Sequence, residues 1–399
     1  MNILIITPFY SVECRPDLFQ DTSVVHYFAK YWTKNNRVKV LNIYPHSYKN
    51  IKHFLSPKLF NYYCKGFQFE KDGVSVQITE VQKYPGQKSN YSKLQTAHII
   101  KQFKNFIINS EFVPDVIVIH VPTYSVSFLD KIRKELGVKI PTIGVIHQTD
   151  IDEINNRKGM LDFLNNNFDH LYCRSNGIYN KLLKFNIKPL SNTVINSGIP
   201  LQSAYSVRTD NIKEGSLKVL YVGKLIKRKN VDKIIDAVKT LEKKDIKLRI
   251  IGTGAEEKKL RHIVQEYNIE DKVAFLGQRT RSEVLSEMAK SDVFCMPSIN
   301  ETLGLTYLES MSVGCVPIGT RGEGVDGIII NGFNGFLVNS NNIIAELVEL
   351  FDNLIVKSKT DYIELSANAK QTVLDYEEEK CAMDYLEVLN DVVRQNKYK

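Results

Sequence analysis

The sequence predicts an α/β protein of two doubly wound, Rossmann-like domains facing across a cleft. Three observations lead there. The 399 residues are enough for two or three domains of roughly 150 residues, each able to bury its own core. Short β-branched runs alternate with longer segments of helical period, the signature of parallel sheets flanked by helices. The alternation also restarts from a fresh apolar strand at Lys218, after a polar segment that shows neither period.

In the first half the runs Ile3–Thr7, Val38–Ile43, Val74–Ile78, Val116–Ile119, Thr142–Ile146, His170–Cys173 and Thr193–Ile195 read as strands. In the second half Lys218–Val222, Lys247–Ile251, Val273–Leu276, Val293–Met296, Val316–Gly319 and Gly335–Val338 do so. Amphipathic stretches such as Val231–Lys243, Glu256–Tyr267 and Ser282–Lys290 lie between them. IPLQSAYSVRTDNIKEGS, residues 199–216, reads as a linker. The expected division is an N-terminal domain over 1–200, a linker over 201–216, a C-terminal domain over 217–375 and a last segment over 376–399. That segment holds a helix candidate, Glu377–Arg394, expected to cross back and brace the first domain. Ligands of such folds sit outside the carboxyl ends of the strands, and the cleft between the domains is the default site.

Composition narrows the function classes. Hydrophobic residues at 43% and charged residues at 25% are the mix of a soluble globular protein, which excludes long disorder, collagen and coiled coil. Apolar runs such as Ile3–Ile6 fall far below the ~18 residues that span a bilayer. MNILIITPFY lacks the basic flank and small-residue cleavage site of a secretory signal, so a cytoplasmic location is expected. Cys14, Cys64, Cys173, Cys295, Cys315 and Cys381 form no CxxC pair and read as buried free thiols. The net charge of +8 is too mild to imply a nucleic acid partner. Residues 22–69 nevertheless carry Lys30, Lys34, Arg37, Lys39, Lys49, Lys52, Lys58 and Lys65 with no acid, interleaved with Phe54, Leu55, Leu59, Phe60, Tyr62, Tyr63 and Phe67. This basic aromatic stretch, 30–67, reads either as a surface for an anionic membrane or as a solvated face whose aromatics pack inward.

SINETLGLTYLE, residues 298–309, carries the most chemistry. It reads as a loop opening a helix at Gly304, and a helix start offers unpaired amides and partial positive charge to a phosphate. Glu301 precedes that helix and Glu309 is expected two turns inside it, about 12 Å away and leaning back toward the start. Two acids at opposite ends of a pyrophosphate site suit the hydroxyls of a sugar and of a ribose. VGKLIKRK places Gly223, Lys224 and Lys229 beyond the carboxyl end of a strand, where cations neutralise a diphosphate leaving group. IIGTGAEEKKL supplies Gly252 and Gly254 for a close backbone approach, while Glu257 in place of a third glycine argues against a dinucleotide. Base recognition is expected from backbone near Leu276–Arg279, after the strand Val273–Leu276.

GKLIKRK, IGTGAE, DVFCMPS, ETLGLTYLE, SMSVGCVPIGT and NGFNGFLV stand in this order, and with GVIHQTD, FDHLYCRSN and VINSGIP they resemble the retaining glycosyltransferases of family 4. The resemblance implies the GT-B architecture, with a nucleotide diphosphate sugar held mainly by the second domain and the acceptor by the first. It implies that Glu301 contacts the donor sugar, that Glu309 holds the ribose, and that Thr302, Leu303, Gly304 and Leu305 present amides to sugar and phosphate. Lys229 matches the family lysine on the diphosphate, and Lys224 stands where the family more often has arginine, without the bidentate fork. His147 resembles the family histidine near the transferred sugar. Two departures are visible. SVECRPDLFQDTS lacks the paired glycines of the first-domain loop, leaving Asp21, Thr22 or Ser23 as substitutes, and Asp326 in RGEGVDG replaces a usual glutamate.

The implied activity is transfer of a hexose or N-acetylhexosamine, from a UDP-sugar by family weight, to a hydroxyl of a glycan or lipid-linked acceptor. The setting is cell-surface polysaccharide synthesis at the inner face of the membrane. Retention without a carboxylate nucleophile implies front-face displacement, in which the departing diphosphate takes the acceptor's proton. No cofactor or metal is expected. Asp150-Ile151-Asp152 is the one string of the Asp-x-Asp type that metal-dependent transferases use. A sugar-nucleotide epimerase and a non-catalytic nucleotide-sugar-binding protein are the competing readings on the same architecture.

Overall fold

The computed structural model describes residues 1–10, 23–47, 66–83, 87, 90–201 and 216–397. The chain divides into two units, one of 1–174, 181–197 and 378–399 and the other of 175–180 and 198–377. The first division thus falls at Gly198 rather than after residue 200, and six residues from Ser175 to Asn180 group with the second unit.

In the first unit, the strands are β1 (Asn2–Thr7), β2 (Arg37–Ser47), β3 (Gly66–Lys71), β4 (Val74–Lys83), β5 (Val116–His120), β6 (Thr142–Ile146), β7 (His170–Cys173) and β8 (Leu190–Val194). They form one sheet in the order β3-β4-β2-β1-β5-β6-β7-β8. All neighbours are parallel except β3 and β4, an antiparallel hairpin. Its turn, Asp72-Gly73, has both residues at positive φ (51° and 75°), as a two-residue hairpin of the right twist demands. The sequence reading missed β3 because its alternation GFQFEK buries neither face fully. Helices α1 (Val24–Trp32), α2 (Lys93–Phe106), α3 (Leu129–Leu136), α4 (Gln148–Asn156), α5 (Met160–Asn167) and α6 (Asn176–Leu182) make the crossovers. Ser92 caps α2 and accepts from the Gln95 amide, while Gln95 returns a bond to the Ser92 amide.

The second unit has β9 (Leu217–Val222), β10 (Ile246–Ile251), β11 (Val273–Gly277), β12 (Val293–Cys295), β13 (Val316–Thr320) and β14 (Phe336–Val338). Their order, β11-β10-β9-β12-β13-β14, is the 3-2-1-4-5-6 winding of a nucleotide-binding sheet. The winding reverses between β9 and β12, so the loops that follow these two strands flank the switch point. Helices α7 (Val231–Thr240), α8 (Glu257–Glu266), α9 (Arg281–Lys290), α10 (Leu305–Ser312), α11 (Ile343–Val356) and α12 (Lys359–Val373) cover the sheet. Central strands are apolar on both faces, as in Val316–Thr320, where all five residues are buried.

The last helix, α13 (Glu378–Lys397), belongs to the first unit. It packs on α1, where Trp32 Nε1 donates to the Ala382 carbonyl at 2.7 Å and Tyr385 stands edge-on to Trp32 and Phe28. Cys173, Cys295, Cys315 and Cys381 are buried free thiols. Cys14, Cys64 and most of the linker 201–216 lie outside the described residues. No helix among the described residues is long and apolar enough to cross a membrane.

Candidate active site

The loops after β9 and β12 are stitched together at the switch point. The Ile299 amide donates to the Arg228 carbonyl at 2.9 Å, and Asn230 Nδ2 donates to the Pro297 carbonyl at 2.7 Å. Asn230 and Asn300 hold left-handed backbone, φ 53° and 55°, which asparagine tolerates better than most side chains. These turns bring the basic run of the first loop onto the acid of the second. Lys229 Nζ lies 2.5 Å from Glu301 Oε2, and Arg228 Nη1 reaches the same oxygen at 3.0 Å. Both ends of the Lys229–Glu301 pair are largely buried, at 10% and 14% side-chain exposure. The Glu301 amide donates to Glu323 Oε2 at 3.0 Å, so a second acid of the RGEGVDG turn fixes the backbone of the first.

Electrostatics follows from this packing. Burial acts to raise the Glu301 carboxyl, but Lys229 and Arg228 outweigh it and hold the group below the usual range, ionised at neutral pH. Burial lowers the Lys229 ammonium, Glu301 opposes that, and the Arg228 and Lys224 charges add to the lowering. Lys224 is exposed, at the mouth of the turn, whose shape is fixed where Tyr221 Oη donates to the Lys224 carbonyl at 2.9 Å.

Gly304 opens α10 at φ +82°, and a Cβ there would stand 2.7 Å from the Tyr307 ring. Tyr307 is buried and its hydroxyl donates to the Met296 carbonyl, tying the helix to the end of β12. The Tyr307 amide donates to the Gly304 carbonyl at 3.0 Å, and the Leu305 and Thr306 amides before it have no acceptor within the helix. Thr302 is half-buried, Leu303 turns its side chain into the core, and Leu305 packs partly against it. Because α10 begins at Leu305, Glu309 is its fifth residue, about one turn in rather than two. Glu309 accepts from Arg281 Nε at 3.0 Å and is not part of the Lys229–Glu301 pair. Burial raises its carboxyl and Arg281 opposes that shift.

Gly252 and Gly254 serve a close approach of loop to loop. A Cβ on Gly252 would fall 1.9 Å from the Gly223 carbonyl oxygen, and one on Gly254 2.3 Å from that of Leu225. The loop after β10 thereby lies against the Gly223–Leu225 backbone, where the Leu225 amide donates to the Thr253 carbonyl at 2.9 Å. Leu276 is half-buried, and Arg279 is exposed, 3.8 Å from Glu283. Asp326 closes its own turn by accepting from the Gly322 amide at 2.6 Å.

His147, in the first unit, directly follows β6 and caps α4, its amide donating to Asp150 Oδ2 at 2.8 Å. Asp150 is wholly buried, and its other oxygen accepts from the Thr123 amide and hydroxyl at 3.0 and 2.7 Å. The first acid of Asp150-Ile151-Asp152 is thus spent inside the fold, while exposed Asp152 accepts from Gln148. Among the described residues no group of three or more His, Cys, Asp or Glu is placed to hold a metal ion.

Of the residues 11–23, only Ser23 lies within the described residues, at the start of α1, and Asp21 and Thr22 lie outside them. The stretch 30–67 is described only in part. Lys34 pairs with Glu379, Lys39 donates to the Phe106 carbonyl at 2.8 Å, Arg37 lies over the Phe112 ring, and Lys30 over that of Tyr31. Phe67 is in β3, stacked with Phe69. Lys49, Lys52, Lys58 and Lys65 lie outside the described residues, as do Phe54, Leu55, Leu59, Phe60, Tyr62 and Tyr63.

Sequence reasoning passed over Arg228, inside the quoted KLIKRK, and Glu323, three residues before Asp326. The available signal was the turn chemistry around each.

The architecture, two doubly wound α/β units with this winding, is the GT-B fold of glycosyltransferases. A structure from Anabaena, HepE in complex with UDP and glucose, shares it at a TM-score of 0.67 and 14% identity, covering 98% of this chain and 100% of that one. Residues 206–372 match the family described as glycosyl transferases group 1. An uncharacterized glycosyltransferase of Methanocaldococcus jannaschii is 30% identical over 261 residues, 64% of this chain and 70% of that protein. The putative colanic acid biosynthesis glycosyltransferase WcaL of Salmonella typhimurium is 25% identical over 296 residues, 70% of this chain and 68% of WcaL. The chain belongs to the group 1 glycosyl transferase family.

Proposed function

We propose that this glycosyltransferase is a retaining enzyme of the family 4 type. It moves a hexose or N-acetylhexosamine from a UDP-sugar to a hydroxyl of a glycan or lipid-linked acceptor in cell-surface polysaccharide synthesis. The observation that carries this is the buried Lys229–Glu301 pair, set with Arg228 at the switch point beside the first-turn amides of α10. Glu301 is fixed in its ionised form, so it accepts hydrogen bonds from sugar hydroxyls and favours a cationic ring. Lys229, Lys224 and the first-turn amides place positive charge where a diphosphate gathers negative charge as it leaves. That charge comes from the protein, which is why the reaction is proposed to run without a metal. His147 orients the sugar, and Glu309, with Arg281 beside it, takes the ribose. The bound UDP and glucose of HepE and the colanic acid role in the name of WcaL support the donor and the pathway class.

In this reading the acceptor hydroxyl attacks the anomeric carbon from the face the diphosphate is leaving. The new glycosidic bond forms as the sugar–phosphate bond breaks, and the acceptor's proton passes to a diphosphate oxygen. The acceptor is proposed to lie on the first domain, expected over 1–200, and the donor on the second, expected over 217–375. Lys49, Lys52, Lys58 and Lys65, with the aromatics between them, are proposed to rest on anionic headgroups. Cosedimentation with vesicles containing anionic lipid, and loss of it in the variant lacking these four charges, tests that surface.

A screen of nucleotide sugars, read by nucleotide release with and without glycan or lipid-linked acceptors, tests the function. The reading expects acceptor-dependent release from a UDP-sugar, an unchanged anomeric configuration and full activity in excess chelator. Conversion of the nucleotide sugar with no acceptor present would mark an epimerase, and binding without release of nucleotide would mark a non-catalytic protein.

A further inference from the structure

Four neighbouring parallel strands of the first unit, in the order β1-β5-β6-β7, end in one group of side chains. Phe9 follows β1, His120 closes β5, His147 follows β6 and Arg174 follows β7. His120 Nδ1 lies 3.4 Å from His147 Nε2, and the Phe9 ring is 5.8 Å from that of His147. Arg174 and His120 are 3% and 2% exposed, and each keeps a buried nitrogen, Nη1 and Nε2, without a hydrogen-bond partner. The Arg174 guanidinium lies over the Phe28 ring and, among the described residues, is acted on by no carboxylate. A buried cation that no described carboxylate neutralises is expensive to keep, and the two histidines beside it are the groups it acts on.

Among the described residues, Asp150, Tyr385 and Cys381 are the other titratable groups that act on the cluster. Asp150, from α4, spends its carboxyl on the His147 and Thr123 amides and the Thr123 hydroxyl, not on the ring, and burial pushes it up to about 7. Tyr385 and Cys381, from α13, act on Arg174, and burial raises the Tyr385 hydroxyl well above its usual range. Burial, then the Arg174 charge, pushes His120 down to about 3. Burial, then His120 and Arg174, holds His147 well below the usual imidazole range. Two uncharged rings that meet nitrogen to nitrogen share one proton. With a cation close to His120, its partnerless Nε2 is better left as a lone pair, which puts the proton on its Nδ1.

We propose that His120 and Arg174 are positioning residues for His147: His120 Nδ1–H donates to His147 Nε2 and fixes its tautomer, and the Arg174 charge keeps the His120 Nε2 side as a lone pair. His147 then presents Nδ1–H to the sugar as a neutral donor. This inference rests on the proposed contact of His147 with the donor sugar.

The full chain with 15N-labelled histidine, read by NMR between pH 6 and 8, tests it, with His147 assigned by difference from H147Q. Wild type is expected to show His147 protonated at Nδ1 alone and unchanged by pH. In H120L the signal averages between tautomers and kcat falls roughly tenfold with the donor KM little changed. H120N puts an amide N–H where Nδ1–H stood and restores both. In R174M both rings stay neutral, because their burial remains, but the His147 signal averages between tautomers as in H120L, and R174K, which keeps the charge, prevents that. A His147 doubly protonated at neutral pH, or protonated at Nε2, overturns the inference. So does an H120L protein with unchanged signal and kcat, which decides the matter even if R174M does not fold. A fully active H147Q, with the Nδ1 tautomer intact in wild type, supports the hydrogen bond and overturns the donor contact instead.

Discussion

Glu301 and Lys229 show why activity and stability must be read together at a buried ion pair. Removing either partner leaves the other charge in a site with little water, at a cost of about 3 kcal/mol. E301Q and K229M are therefore expected to lower both the urea midpoint and transfer, each losing at least tenfold in kcat. The double variant E301Q/K229M removes both charges. Its stability is expected to return to within about 1 kcal/mol of a single variant with a neutral change, while transfer stays low. A double variant that recovers transfer would show the pair to be architectural only. Acid dependence arises at His120, His147 and Asp150. An unfolded histidine takes a proton near 6.5, but folded His120 does so only near 3 and folded His147 also well below 6.5. The folded state thus binds fewer protons as pH falls through 6.5, and the stability present above that pH is lost. Asp150 opposes this, being protonated in the folded state below about 7 and in the unfolded state only below 3.8. His26 and His98, which burial also lowers, act in the same sense, so the histidines outweigh the one carboxyl and stability falls as pH drops below about 6. Urea midpoints at pH 7 and pH 5 check this, and H120N, with one histidine fewer, is expected to flatten the slope.

Among elements, the glycine turn after β10 separates two kinds of glycine. G252A meets the Gly223 carbonyl at 1.9 Å and a φ of +131°, so strain and clash add. G332A meets only a φ of +79°, with nothing within 4 Å. Thermal melts followed by circular dichroism are expected to place G332A about 1 kcal/mol below wild type and G252A at more than 3. Equal effects would show that the two loops slide apart freely. The same turn shows what could be read from sequence. The strands of the second unit were legible to within a residue or two, because central parallel strands are dense in Val, Ile and Leu. The hairpin strand β3 was not, since an edge strand exposes alternate residues, and β2 and β4 run on past their apolar runs to Ser47 and Lys83. β8 ends at Val194 and begins at Leu190, earlier than its β-branched residues suggest. In the candidate site, the acid and the basic turn were legible as types. Their meeting across 72 positions was not, nor was the grip of Glu323 on the Glu301 amide or of His120 on His147. Such contacts are made by tertiary folding and leave no local period.

At the scale of the whole chain, the last helix belongs with the residues that were made first. α13 follows the second unit in sequence but packs on α1, and its Ala382 carbonyl accepts from the indole of Trp32. Tyr31 Oη reaches Glu378 at 2.8 Å, Lys34 pairs with Glu379, and Tyr385 fills the corner between Phe28 and Trp32. Trp32 is the single tryptophan of the chain and is fully buried, so its fluorescence reports on the first unit alone. Ending the chain at Glu377 removes one wall of that core. Its indole is then expected to emit at longer wavelength, and the first unit to lose its cooperative transition. Y385A is the milder form of the same change, expected to cost about 3–5 kcal/mol in the fluorescence-detected midpoint. The second unit keeps its own six-stranded sheet and core, which no residue of α13 enters. UDP binding to the truncated chain, followed by titration calorimetry, is therefore expected to survive where transfer does not. A truncated protein with blue emission and an unshifted midpoint would show that α13 is an appendage, and that the first unit closes its core without the end of the chain.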